Sequence, residues 1–247
     1  MDRGIFVASS TAGNLMDRQA IVAQNLANMS TVGFKKIFDR MVTVPASSAD
    51  ASRLPDARAY AVELTPGVDI RQGGLLATGN ALDVALTDQH YLAVAVPGGE
   101  AYTRRGGFLV DAEGVLRLPT GQAVLSQEGN EIAIPAGFIG GVANDGAVWA
   151  QDPNNAANKQ EVGRLKVVEG RGVTLRLDGF YSLVQQTSAV DGARVLSSGH
   201  LEQSNVSPAD ALAEMIETSR LYEMNTRLMS AFNTLDQKGS EILANWQ

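Results

Sequence analysis

The residue types that most often carry catalysis are scarce in this sequence. Its two histidines, His90 and His200, are far apart, and each is placed as a loop or strand-edge residue. No Gly-x-Ser-x-Gly, phosphate-binding loop or His-Glu-x-x-His motif occurs, so no catalytic residue can be nominated. The sequence therefore predicts that the chain is not an enzyme.

Three carboxylates, Asp111, Glu113 and Asp178, could be considered as metal ligands. Each lies in a turn sequence that contains a glycine, where acidic side chains commonly cap the backbone instead. We therefore expect no metal site, and no motif in the sequence implies a cofactor.

The composition of the 247-residue chain excludes several functional classes. Hydrophobic residues make up 45% and charged residues 19%, which is typical of a folded protein rather than a disordered one. The net charge of -7, without any basic cluster, would repel a phosphate backbone, so we expect no nucleic-acid partner. The absence of cysteine excludes disulfides, thiolate metal sites and cysteine nucleophiles.

The beginning of the chain lacks the continuous apolar run of a secretory signal, so we expect no cleavable signal peptide. No stretch approaches the roughly 20 uncharged apolar residues that span a bilayer, so we also expect no direct membrane insertion.

Both ends of the chain carry the pattern of an amphipathic helix. Residues 4–29 contain no proline, and apolar or small residues recur there at alternating steps of three and four. Ser207–Asp210 is a helix start, with Ser207 as the N-cap and proline at the first helical position. The apolar surface of the C-terminal helix is wider than one partner helix would cover, which fits either a helix laid on a large core or a helix packed among several others. The expected assembly interface comprises Ile5, Ala12, Leu15, Val22, Leu26, Leu212, Met215, Ile216, Leu221, Tyr222, Met224, Leu228, Met229 and Leu235.

Between the two helices, short apolar runs alternate with glycine-containing turns. Runs such as Tyr91–Val96, Val115–Leu118 and Ile132–Ile134 predict strands joined by tight turns, without intervening helices. That succession is typical of an antiparallel β domain. Residues 45–66, with three prolines among alanines, serines and charges, predict an extended arm.

The predicted fold class is α+β. Long N- and C-terminal helices, residues 1–32 and 204–247, are expected to form a discontinuous, coiled-coil-like assembly domain. Residues 33–70 are expected to form an extended arm or linker, and residues 71–203 a central, outward-lying antiparallel β domain.

The segment Asn25–Lys35 resembles the N-terminal signature of the flagellar rod and hook protein family. In that family a helix ends in an N-x-A-N run and is followed by a T-P-G-F-K/R turn; here Val32 replaces the proline. The matching residues of this family-signature turn are Asn25, Asn28, Gly33 and Phe34. Gly33 suits a backbone conformation that other residues resist.

Further blocks resemble the same family and occur in its order along the chain. Gly79–Leu86 and Ala101–Phe108 resemble its L-D-V-A and A-Y-T-R-x-G-x-F blocks. Leu201–Val206 and Met215–Asn225 resemble its C-terminal signature. Several blocks in register are more specific than any one of them.

This resemblance implies a structural subunit of the bacterial flagellar basal-body rod, the axial drive shaft that transmits motor torque to the hook. It favours the proximal rod over the distal rod. It implies a periplasmic location in the basal body and export through the flagellar type III apparatus. It also implies assembly with copies of itself and with other rod and hook-family proteins.

Without that resemblance, the residues leave other classes open. One is a secreted β-rich binding module or phage-tail-like component with a helical oligomerisation stalk. Another is a periplasmic hydrolase on a β scaffold, for which the sequence offers no catalytic motif. Apolar helix faces at both termini favour the polymerising subunit, because a monomeric β module rarely needs them.

Overall fold

A computed structural model of the chain describes residues 2–45, 59–87, 89–176, 178–187 and 195–244. The chain divides into two compact units. The first, here called the terminal unit, consists of Met1–Ala27, Asp39–Thr65 and Ser207–Gln247. The second, here called the β unit, consists of Asn28–Phe38 and Pro66–Val206.

The terminal unit contains the two helices, α1 (Asp2–Ala27) and α2 (Pro208–Ala244). The start of α2 confirms the predicted cap: the Ser207 hydroxyl accepts a hydrogen bond from the Asp210 amide (3.4 Å), and the Ser207 carbonyl accepts one from the Ala211 amide (3.0 Å). Over its described residues, neither helix carries an apolar stretch long enough to cross a membrane.

The two helices pack antiparallel. Asn225 of α2 contacts Ala8 of α1, and Glu214 of α2 accepts a hydrogen bond from Arg18 of α1 (3.1 Å). The later position on α1, Arg18, thus contacts the earlier position on α2, Glu214, so the two helices run in opposite directions.

Strands β1 (Ile37–Pro45) and β2 (Ala59–Val68) pair with each other as a two-stranded sheet. Both fall within the span 33–70, for which we predicted an extended arm or linker. Residues 37–45 and 59–68 of that span are therefore extended and hydrogen-bonded, and residues 46–58 lie outside the described residues.

The remaining strands are short and are joined mostly by turns. They are β3 (Leu75–Ala77), β4 (Val84–Leu86), β5 (His90–Val96), β6 (Gly99–Thr103), β7 (Leu109–Val110), β8 (Leu116–Arg117), β9 (Ile139–Val142), β10 (Ala147–Asp152), β11 (Asn155–Arg164), β12 (Val167–Leu175), β13 (Tyr181–Thr187), β14 (Leu196–Ser198) and β15 (His200–Glu202).

Four of these strands close into a small barrel in the order β12-β13-β6-β5. Strands β9, β10 and β11 form a three-stranded sheet with β10 in the middle, and β14 pairs with β4, β15 with β3 and β7 with β8. From β3 onward the pairings are antiparallel. The mixed α+β class, with an antiparallel β part, is thereby confirmed.

One predicted strand needs correction. Ile132–Ile134 makes one isolated bridge, Val115–Ala133, rather than a strand. The Ile132 carbonyl accepts from the Leu116 amide and the Ile134 amide donates to the Gly114 carbonyl, so the pairing is limited to this one bridge and no longer ladder develops.

The β unit has a large apolar core and a smaller second cluster. The large core contains branched residues of several strands, including Leu92, Val94 and Val148, all fully buried. The smaller cluster surrounds Tyr91 and Tyr181, whose rings meet edge to face with their centres 5.8 Å apart.

Candidate assembly interface and buried charge cluster

One face of α2 carries small and polar side chains at a seven-residue spacing. Ala211, Thr218 and Asn225, here called the inner row, are all buried. The Asn225 side-chain amide donates a hydrogen bond to the carbonyl of Ala8 (2.8 Å), so this face packs on α1. A seven-residue repeat keeps one helix face on its neighbour over several turns.

The matching face of α1 is also compact. Ala8 and Val22 are buried, and so is Asn25, the first asparagine of the family signature. The buried inner row of α2 thus contains no large apolar side chain.

Five large apolar side chains of α2 lie on the surface of the chain instead. Leu212, Ile216, Met224 and Leu228 follow one another at steps of four, with Arg220 between them. Together with Leu235 they form what we call the outer ridge, and each is 48–55% exposed. Residues at steps of four form ridges that fit the grooves of other helices.

The predicted interface residues thus divide by location. Val22 is buried, and the five residues of the outer ridge are exposed. The others are partly buried: Ile5, Ala12, Leu15, Leu26, Met215, Leu221, Tyr222 and Met229.

Sequence reasoning missed the inner row because threonine and asparagine are usually surface residues. The available signal was their exact heptad spacing after Ala211, one residue out of phase with Leu212. That spacing could have identified the face of α2 that lies on α1.

The family-signature turn begins after α1. The Thr31 amide donates to the Asn28 carbonyl (3.1 Å), and Gly33 has a φ of 68°, which side chains with a Cβ rarely adopt. The Gly33 amide donates to the Glu202 carbonyl (2.7 Å), and a Cβ at Gly33 would overlap the Arg104 carbonyl. Glycine is therefore required by both conformation and space.

Beside this turn lies a buried charge cluster that the sequence did not predict. Lys35 Nζ donates to Glu202 Oε1 (2.5 Å), and Arg104 Nε donates to Glu202 Oε2 (2.7 Å). All three side chains are at most 1% exposed. One carboxylate thus pairs with two basic side chains, so the charges of the three ionised groups do not cancel.

Both cations also donate to backbone carbonyls. Arg104 donates to the carbonyls of His90 and Leu86, both at 2.9 Å, and Lys35 donates to the carbonyl of Arg71 at 2.7 Å. Such bonds offset the loss of water around a buried charge. Burial, followed by the nearby Arg104 cation, lowers the pKa of Lys35.

Asn205 extends this connection between distant segments. Its Oδ1 accepts from the Lys36 amide (2.7 Å), and its Nδ2 donates to the carbonyls of Asp69 and Arg71 (both 2.9 Å). Phe34, the last residue of the signature turn, is partly buried and accepts from the Asn205 amide (3.4 Å). Residues 34–36, 69–71 and 205 therefore form one hydrogen-bonded junction.

The two histidines have local partners. His90 Nδ1 donates to the Thr87 carbonyl (2.7 Å), and His200 Nδ1 donates to the Ser198 carbonyl (2.9 Å). Among the residues that the structure describes, no group of three or more histidine, aspartate or glutamate side chains could hold a metal ion.

Two of the three carboxylates considered as ligands pair with arginines instead. Asp111 accepts a hydrogen bond from Arg117, which lowers the pKa of the Asp111 carboxyl. Asp178 pairs with Arg176 at 3.0 Å. The first pair spans the connection between β7 and β8, and the second lies within one turn, so both hold the local backbone.

Two family models match the chain at its ends. The model described as "Flagella basal body rod protein" matches residues 5–35. The model described as "Flagellar basal body rod FlgEFG protein C-terminal" matches residues 197–242. These spans hold most of both helices, the signature turn and two of the three members of the charge cluster, Lys35 and Glu202.

Relatives match over nearly the whole chain. Flagellar basal-body rod protein FlgF of Salmonella typhimurium is 34% identical, and that of Escherichia coli is 35% identical; each match covers 99% of both chains. Flagellar basal-body rod protein FlgG of Buchnera aphidicola subsp. Acyrthosiphon pisum is 30% identical, over 90% of this chain and 92% of its own.

Proposed function

The chain belongs to the flagellar basal-body rod protein family, and we propose that it is a structural subunit of the proximal rod that assembles through its terminal helices. Support for the proximal position comes from the two relatives named FlgF that are described above, which are similar over the full length and more identical to this chain than the FlgG relative described with them.

The outer ridge is the observation that carries the proposed mode of assembly. Five large apolar side chains lie about half exposed along one helix, whereas the inner row of the same helix is buried and contacts α1 through Asn225. Covering the exposed half of one such side chain stabilises a contact by about 1 kcal/mol. A partner helix that covers several of them would therefore gain several kcal/mol.

The proposed partners are copies of this chain and other rod and hook-family proteins. In this proposal residues 1–32 and 204–247 form the coiled-coil-like assembly domain, residues 33–70 the arm, and residues 71–203 the outer β domain. The subunit reaches the periplasmic rod through the flagellar type III export apparatus and transmits motor torque towards the hook. Family membership supports these statements.

The test is complementation of a strain that lacks the gene. Leu228→Asp replaces a residue of the outer ridge with a charge that has no partner in an apolar contact. Loss of the burial alone weakens each contact about fivefold to tenfold, and the stranded charge weakens it further. Swimming in soft agar should fail, although the protein is made and its β unit is folded.

Asn233→Asp is the matched control, because it introduces the same charge at an exposed polar position of α2. It should swim like the parent. Normal swimming by Leu228→Asp would contradict assembly through the outer ridge. If the chain were instead a β-rich binding module or phage-tail-like component, the strain without the gene would itself swim.

A further inference from the structure

Asn225 is the member of the inner row whose side chain depends on the other helix. It is 7% exposed, and its amide nitrogen donates to the carbonyl of Ala8 at 2.8 Å. Thr218 is also buried, but its hydroxyl donates to the Glu214 carbonyl within α2 (2.8 Å). Ala211 has no polar side-chain atom. Within the inner row, Asn225 is therefore the residue whose side-chain hydrogen bond depends on the position of α1.

The partner of Asn225 stands at a distinctive position on α1. Ala8, Leu15 and Val22 are seven residues apart and therefore lie on one face of the helix. The side chain at position 8 is a single methyl group, which leaves room for the Asn225 amide to reach the backbone carbonyl. Leucine and valine at the two equivalent positions would stand between that amide and the backbone.

The alternative alignment is a slide by one heptad, which the apolar residues alone would tolerate. It would place Asn225 opposite Leu15 and displace the helices by about 10 Å along their axis, at ~1.5 Å per residue. A buried amide would then have no acceptor, which is a strong penalty against that alignment.

We propose that Asn225, through its hydrogen bond to the Ala8 carbonyl, is the positioning residue that fixes the alignment of α1 and α2. Apolar and small residues bring the helices together, and the hydrogen bond selects one register among those that packing permits. The register decides which turns of α2 lie uncovered beyond α1. This inference concerns the fold of the single chain and stands whether or not the outer ridge mediates assembly.

The absence of native cysteine makes the register directly measurable in the full-length chain. Cysteines placed at Ala20 and Ser230, both exposed, can carry spin labels for pulsed electron–electron distance measurements. The two labelled positions are offset along the helix pair, so a heptad slide towards Leu15 shortens their separation by up to about 10 Å. The parent chain should show a single distance.

Asn225→Leu removes the hydrogen bond to Ala8 but keeps an apolar contact between the helices. A second, shorter distance between the two labels should therefore appear, while the helical circular dichroism signal is retained. Ala8→Leu, which blocks the approach while keeping Asn225, should also broaden or split the distribution. Thr218→Val is the matched control at the neighbouring inner-row position and should retain the single parent distance.

Several results would overturn the proposal. These are a single unchanged distance in both Asn225→Leu and Ala8→Leu, multiple distances in the parent, or equal broadening in Thr218→Val. Loss of helical circular dichroism in Asn225→Leu would show that Asn225 holds the pair together rather than aligning it, and would overturn the proposal as well.

Discussion

At the scale of single residues, the buried charge cluster is the feature with the largest energetic consequence. Glu202 is the sole anion of a cluster with two cations, and all three side chains are almost completely shielded from water. Breaking a buried pair by removing one partner commonly costs about 3–5 kcal/mol, because the other charge remains buried.

We therefore predict that Glu202→Gln lowers the free energy of unfolding of the β unit by about 3–5 kcal/mol. The substitution keeps the size of the side chain but leaves Lys35 and Arg104 without their counter-charge. Urea unfolding followed by tryptophan fluorescence measures the effect.

Glu100→Gln provides the control, since Glu100 pairs with Lys166 at 2.7 Å at a partly exposed site. Exposed pairs contribute at most about 1 kcal/mol. Equal losses for Glu202→Gln and Glu100→Gln would show that burial of the cluster has no special cost.

A second residue-scale prediction concerns alkaline pH. Burial raises the pKa of Tyr181 to about 12, compared with an ordinary value of 10.0. As the pH rises, the Tyr181 hydroxyl therefore loses its proton in the unfolded chain before it does so in the folded chain, which favours unfolding. The contribution of Tyr181 to the stability of the fold is complete below about pH 10 and is lost as the pH rises to about 12. The difference in pKa corresponds to about 2–3 kcal/mol.

The measurement is urea unfolding of the parent and of Tyr181→Phe at about pH 9 and about pH 12. The parent should lose more stability between the two pH values than the variant. Lys35, whose pKa is lowered, contributes similarly to both chains and cancels in the comparison. An equal loss in the two chains would contradict the assignment to Tyr181.

The members of the charge cluster could be read from the sequence only as parts of family blocks. Lys35, Arg104 and Glu202 each lie in a block that resembles the rod and hook proteins, yet 167 residues separate Lys35 from Glu202. Periodicity reports contacts within an element and carries no signal for ion pairs across such separations. Charged residues are also expected at the surface, which hid their burial.

At the scale of elements, the helices were predictable and their contact face was not. The three-four spacing and the cap at Ser207 predicted both helices, because they depend on neighbouring residues alone. The apolar pattern could not show whether a leucine faces the chain's own helix or another molecule. In the structure, the inner row faces α1, as the hydrogen bond from Asn225 shows. The contacts of the outer ridge with other molecules remain a proposal.

The inner row should tolerate little added volume. Ala211→Leu inserts a larger side chain into the close contact between α1 and α2, which should destabilise the pair by about 1–3 kcal/mol. Thermal unfolding followed by helical circular dichroism would report a lower midpoint.

Ala213→Leu is the control, because Ala213 is exposed on the same helix two residues away. Its midpoint should stay near that of the parent. If both variants melted alike, Ala211 could not lie in a closely packed contact.

At the scale of the whole molecule, the α+β class followed from helix signals at the ends and glycine turns between them. The barrel order did not follow from the sequence. Strand β5 pairs with β12, so Tyr91 lies opposite Val168 although a large part of the β unit lies between them in the chain. Pairings at such distance depend on the packing of the complete core rather than on any local pattern.

The central claim is that the outer ridge of α2 contacts other subunits in the assembled rod. The most direct measurement places a photoreactive amino acid at Leu228 and, separately, at the exposed polar Asn233, then irradiates isolated basal bodies. The account predicts a strong covalent product between rod subunits from position 228 and a weaker one from position 233. No intersubunit product from position 228, in basal bodies that contain the protein, would contradict it.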